Sequence, residues 1–261
     1  MNDAVLYEVQ GGIATITLNR PASLNAMNNA LLDGLVNALR RVTADISVRT
    51  VILTGAGRGF CSGADLTEQW DWDAGMPPAA DLVPRLISEV PVPTIARVQG
   101  VAAGGGFGLA LSCDVTIAAR SASFVCTFGP RLGLVPDMGS TWHLLRLGRA
   151  RALGVALLGG RIPAQQAAEW GLIWSVVDDA DLDSAVQATA EVFKRSSPDA
   201  MTRIRTSIEA AGGNSLSTQL NLEAEHAAAL IPRNMAEGPA AFTERREPRF
   251  AGTRTSDVGA S

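Results

Sequence analysis

The residues best placed to do chemistry are the glycines of Gly104-Gly105-Gly106-Phe107-Gly108. An apolar run from Pro93 to Val98 precedes them and Leu109-Ala110-Leu111 follows, so the stretch reads as strand, tight turn and helix. Glycine has no Cβ to hold a ligand away from the backbone. The first amides of the following helix have no partner within it, and they sit at the positive end of its dipole. An oxygen carrying developing negative charge would be held there. Nucleotide phosphate fits less well: the glycines match G-x-G-x-x-G in no frame, and no Gly-Lys-Ser/Thr follows them. The lack of a G-x-S-x-G elbow argues against a serine hydrolase. His143 and His226 are the only histidines, and Cys61, Cys113 and Cys126 lack metal spacing, which disfavours zinc and non-haem iron sites. His143 reads as a packing residue on an apolar helix face, His226 as a solvated one, and Cys61 and Cys113 as small buried hydrophobes.

Strand-turn-helix units must position this turn. Val5 to Gln10 and Ile13 to Asn19 alternate around Gly11-Gly12, a hairpin signature. The loop from Arg20 to Met27 leads to a helix in which Leu31, Leu32, Leu35, Leu39 and Val42 repeat at helical spacing. Thr50 to Thr54 is a buried-type strand, followed by Gly55 to Gly59 and a second glycine turn, Phe60 to Leu66, where Asp65 and Glu68 signal a helix start. Tryptophans, Gly75 and Pro77-Pro78 mark a mobile, lid-like loop between Trp70 and Pro84, with Trp70 and Trp72 able to cover an acyl group or to anchor the loop. Further strands are expected at 115–118, 123–127 and 172–177, and helices at 141–147, 149–158 and 164–171. From Leu182 the pattern is helical, with breaks at Pro198, Gly212-Gly213 and Pro232.

The chain has 261 residues, 47% apolar and 18% charged, enough for a substantial core. A net charge of −4 leaves no basic field for nucleic acid and no Lys/Arg cluster for an anionic membrane surface. No stretch reads as a secretory signal or a membrane span, and the odd cysteine count suits a reducing cytoplasm.

Taken in order, Asn19-Arg20-Pro21 with Leu24-Asn25-Ala26, Val51 to Gly55, Phe60 to Leu66, Gly100 to Gly108, Cys113-Asp114, Leu132 to Asp137, Ala168 to Leu172 and Glu244 to Phe250 resemble the crotonase (enoyl-CoA hydratase/isomerase) superfamily over nearly the whole chain. The resemblance implies an α/β fold: a ββα spiral core, assigned to residues 1–195, and a C-terminal helical region, 196–261, that packs subunits into trimers or dimers of trimers. It implies an acyl-CoA thioester as substrate, coenzyme A entering as part of that substrate and no separate cofactor. It carries the enolate-stabilising amides to Ala64 and Gly105. Ala22, Ser23 and Leu24 would line the adenine and pantetheine path, and Ser62, Asp65 and Leu66 the bend beside the thioester. Arg245 or Arg246 would meet a coenzyme phosphate, as a guanidinium fork suits phosphate oxygens.

Hydration by such enzymes uses two glutamates, one to activate water and one to supply a proton. The first of these positions is Gly108 here, and the second falls at Phe128 or Gly129 because Phe124 to Gly133 carries an apparent one-residue insertion. One carboxylate remains nearby, Asp137, at the position where the resemblance to some isomerases of the superfamily implies an aspartate that shuttles a proton. A double-bond shift needs only one such base. Pro136-Asp137 before Gly139 is also a turn signature, and Asp137 could instead cap the helix beyond it. Asp65 likewise reads as a helix cap. The resulting expectation is an isomerase acting on enoyl-CoA. Hydration, decarboxylation or hydrolysis on the same scaffold is the alternative, and a non-catalytic acyl-CoA binding protein is the alternative of another class.

Overall fold

The computed structural model describes residues 4–71, 73, 75 and 77–250. A six-stranded sheet has the order β1-β2-β3-β4-β6-β9, built from β1 (Val5–Gln10), β2 (Ile13–Leu18), β3 (Thr50–Gly55), β4 (Thr94–Val98), β6 (Val115–Ala119) and β9 (Ser175–Val177). Within this sheet β1 and β2 are the antiparallel pair, joined through Gly11 and Gly12, whose positive φ values suit a tight hairpin turn. The other pairs are parallel, and every residue of β3 is buried, as a strand covered on both faces requires.

A second, three-stranded layer contains β5 (Val101–Ala103), β7 (Ser123–Val125) and β8 (Arg161–Pro163). The chain steps from the first sheet to the second at Gln99-Gly100, between β4 and β5, and again between β6 and β7. Each step is one turn of a ββα spiral. The first turn closes with α3 (Gly105–Leu111), which is buried along its whole length and so packs on every side. A bridge from Cys61 to Ala102 joins the earlier glycine turn to this layer.

Helix α1 (Asn29–Ala44) follows the expected periodicity and is capped by the Asn28 side chain, which accepts from the Leu31 amide at 3.0 Å. Helix α2 (Pro78–Glu89) corrects the expected loop between Trp70 and Pro84: Ala80, Val83 and Ile87 form a buried stripe that packs on α1. Pro78 starts this helix, where its missing N–H costs nothing, and Pro84 is accommodated inside it. Trp72 lies outside the described residues. Asp65 also departs from expectation, since a turn and not a helix follows it.

The chain continues through α4 (Ser140–Leu144), α5 (Arg149–Leu158) and α6 (Ala164–Glu169) to α7 (Leu182–Arg195), α8 (Pro198–Ala211), α9 (Leu216–Asn234) and α10 (Glu237–Glu244). Gly212 ends α8 as expected, whereas α9 runs through Pro232. His226 is half-buried, with Nδ1 at 2.8 Å from Ser207 Oγ of α8, rather than solvated.

Candidate active site

Three segments converge on the N-terminus of α3. The loop from Arg20 to Met27 is held by Asn25, a fully buried residue whose φ of 58° lies in the left-handed region that Asn tolerates. Its Nδ2 donates to the carbonyls of Ala56, Gly59 and Phe60 at 3.0, 2.9 and 3.1 Å, and its Oδ1 accepts from the Arg20 amide at 2.9 Å. Asn25 therefore pins this loop to the turn after β3. Gln99 reinforces that turn from the other side, donating to Gly55 and Gly59 at 2.6 and 2.7 Å. In the sequence Asn25 stands only as part of a motif, and no local signal marks it or Gln99 as a clamp, because their acceptors lie more than thirty residues away.

Ser62 fastens the second glycine turn to the same loop, with its amide bonded to Leu24 O at 3.0 Å and its Oγ donating to Ser23 O at 3.1 Å. Ser23 and Leu24 are thus fastened to Ser62, next to Asp65, and Ala22 and Leu66 are exposed. Asp65 Oδ1 accepts from the Thr67 amide and hydroxyl at 3.1 and 2.7 Å, and Oδ2 pairs with Arg20 at 2.9 Å. The Thr67 hydrogen bonds, then Arg20, hold its carboxyl below the usual range, so Asp65 is an anionic brace of the turn.

The two glycine turns touch. A Cβ placed on Gly63 would stand 2.9 Å from Ala103 O and 3.3 Å from the Gly105 nitrogen, so only glycine permits the approach. Met27 N donates to Gly63 O at 2.7 Å and Asp65 N to Met27 O at 2.8 Å. Because successive amides of an extended segment face opposite ways, the Ala64 N–H points away from Met27. Neither the Ala64 nor the Gly105 amide donates to an acceptor among the described residues.

Asp137 comes from the segment just before α4. Its Oδ1 lies 3.7 Å from the position of a Cβ on Gly105, and it is buried without a hydrogen-bond partner. Burial pushes the carboxyl up to about 6. The Asp137 side chain does not cap α4, whose N-cap is Gly139 and which has no side-chain cap; instead, the Asp137 backbone carbonyl accepts from Ser140 N at 2.9 Å. Met27 Cε and Met138 Cγ each lie 3.3 Å from the same Gly105 Cβ position, so two flexible thioethers pack on the Cα side of this glycine.

A side chain at Gly108 has no room. Its Cβ would meet Met138 O at 2.5 Å and Met138 Cβ and Ser140 Oγ at 2.8 Å. Phe128 is buried and opens a π-helical turn, Phe128–Leu132, which takes up the apparent inserted residue, while Gly129 is exposed. Arg245 and Arg246 end α10 and share no hydrogen bond with this cluster; Arg246 is bound to Glu237 at 2.6 Å and Glu244 at 2.5 Å. Among the described residues no group of three or more His, Cys, Asp or Glu could hold a metal ion. No helix among them is long and apolar enough to cross a membrane.

A two-layer ββα spiral that sets a pair of glycine turns against each other is the architecture of crotonase-type α/β proteins, and solved structures of that fold superpose closely. The crystal structure of an enoyl-CoA hydratase from Polaromonas sp. JS666 matches with a TM-score of 0.88 and 32% identity, over 95% of this chain and 99% of that one. The sequence profile of the enoyl-CoA hydratase/isomerase family matches residues 8–253, and the chain belongs to that family. It is 43% identical to the 1,2-epoxyphenylacetyl-CoA isomerase of Escherichia coli (strain K12), over 97% of this chain and all of that protein. It is 36% identical to the 2,3-dehydroadipyl-CoA hydratase of the same organism, over 93% of this chain and 96% of that one. The protein is thus an acyl-CoA enzyme of the hydratase/isomerase family.

Proposed function

We propose that the enzyme shifts a double bond in an enoyl-CoA. The thioester carbonyl oxygen lodges between the amides of Ala64 and Gly105. Asp137, ionised, takes a proton from the carbon next to the carbonyl, and the electron pair moves into a dienolate held by the two amides. The protonated Asp137 then returns the proton to the far carbon, leaving the double bond conjugated with the thioester. One such amide donor is worth about 2.7–4 kcal/mol of transition-state stabilisation.

The observation that carries this reading is the buried, unpartnered Oδ1 of Asp137 against Gly105, with a carboxyl raised to about 6, which suits a group that both takes and gives a proton near neutral pH. The packing at Gly108 supports it further, because the space for a hydratase glutamate is filled. Similarity to the Escherichia coli 1,2-epoxyphenylacetyl-CoA isomerase supports an isomerase in the same way. Ala22, Ser23, Leu24, Ser62, Asp65 and Leu66 take the pantetheine arm. Arg245, rather than the doubly paired Arg246, is the better candidate for a coenzyme phosphate. No cofactor beyond the substrate's own coenzyme A is needed, and the site belongs to a cytoplasmic homotrimer or dimer of trimers. The test is the ultraviolet absorbance of 3-enoyl-CoA mixed with enzyme: conjugation appears with wild type and is lost with Asp137→Asn. Turnover by Asp137→Asn at the wild-type rate would remove Asp137 from the mechanism.

A further inference from the structure

Three buried polar atoms without partners fall in one short segment: Asp137 Oδ1, Ser140 Oγ and His143 Nδ1. The segment packs on α3, with Asp137 against Gly105 and Ser140 against Gly108. His143 lies beside Ser112, at the end of the same helix, with Nε2 at 3.3 Å from Ser112 Oγ. The single hydroxyl proton of Ser112 is engaged by Gly108 O at 2.9 Å, so the imidazole must donate from Nε2, which leaves Nδ1 bare. Burial, assisted by the charge of Arg146, holds His143 down to about 4, and the ring is neutral at working pH.

The ring also supports the turn that carries Asp137. His143 Nε2 lies 3.3 Å from the position of a Cβ on Gly139, and the His143 amide donates to Gly139 O at 3.1 Å. Met138 and Gly139 have φ values of 51° and 76°. A methionine in that region is strained and persists only where its surroundings over-determine it. We propose that His143 is a positioning residue: its imidazole, bonded to Ser112 and seated under Gly139, fixes the Met138-Gly139 turn, and with it Asp137, in register with the helix that bears Gly105.

This rests on Asp137 as the proton shuttle, and the test separates the two claims. His143→Phe keeps a ring but loses the N–H, and His143→Gln restores a side-chain N–H. The carbon-13 titration of the Asp137 carboxyl, assigned with Asp137→Asn, is read together with kcat and KM for 3-enoyl-CoA. In His143→Phe the carboxyl midpoint falls by about half a unit or more as the turn loosens and water enters. There kcat falls about tenfold to a hundredfold while KM stays within about twofold, and His143→Gln recovers most of both. If His143→Phe does not fold, Ser112→Ala, which removes the acceptor of the imidazole together with the hydroxyl's own bond to Gly108 O, gives the same shifts. A folded His143→Phe or Ser112→Ala enzyme with the wild-type carboxyl midpoint overturns the inference. Absent turnover by wild type, with a shifted midpoint, overturns only the isomerase reading.

Discussion

Asp137 holds a charge where the fold would prefer none. Its carboxyl is raised to about 6 by burial, whereas in the unfolded chain it ionises near 3.9. Between those two values the folded state binds more protons, so this residue's contribution to stability falls as pH rises from about 4 to about 6 and stays low above it. Asp137→Asn should therefore be about 1–2 kcal/mol more stable than wild type at pH 7, an advantage that fades toward pH 4. Urea midpoints of both proteins at pH 4.5 and pH 7 measure it, and an equal difference at the two values would contradict it. The same variant should lose about a hundredfold or more in kcat, and wild-type kcat should rise through about pH 6 as the base ionises. At Gly108 the reasoning concerns volume. Gly108→Glu places a Cβ at 2.5 Å from Met138 O, so it should cost about 1–3 kcal/mol or more and gain no hydration of 2-enoyl-CoA. Measured hydration by a stable Gly108→Glu enzyme would show that the missing acid alone separates the two activities.

Among the elements, the loop from Arg20 to Met27 depends on one amide. Asn25 Nδ2 faces three carbonyl oxygens, so Asn25→Asp should be worse than Asn25→Ala although it changes the shape less: a carboxylate there would meet three acceptors. The alanine variant should lose about 2–4 kcal/mol and weaken acyl-CoA binding by freeing residues 22–24, and the aspartate variant should lose more. Chemical denaturation and isothermal titration with a non-reactive acyl-CoA decide the order. How much of this was legible follows from the range of each interaction. The hairpin, α1, β3 and the turn into α3 are written in local periodicity and glycines, and the sequence reading found them. Pro78 and Pro84 read as breakers because the gain that offsets them, packing of Ala80, Val83 and Ile87 against α1, is long-range. The role of Asn25 depends on partners 31 to 35 residues away, and that of Asp137 on Gly105, which no local pattern encodes. The crotonase resemblance supplied what periodicity could not.

At the scale of the whole molecule, the C-terminal helices leave large apolar side chains exposed among the described residues. Helix α9 spans nineteen residues and none of them is buried. Leu216 and Leu220 on α9, Ile208 on α8 and Phe242 on α10 are exposed, Phe242 to 87%. A helix contributes stability mainly through a buried apolar face, and clustered exposed apolar side chains mark an association surface. We propose that the chains self-associate through these helices, the arrangement that the crotonase resemblance leads one to expect. Light scattering on a sizing column should give a mass that is a multiple of three of the 27.2 kDa chain. The double variant Leu220→Glu with Phe242→Glu should move toward the single-chain mass, since two charges on that face cannot be desolvated without partners. The separated chains should melt earlier, by several degrees, because the outward apolar side chains of α8, α9 and α10 then lose their cover. Wild type at the mass of one chain at micromolar concentration would mean that these helices stand alone, and the boundary near residue 195 would then separate a core from an appendage with no packing role.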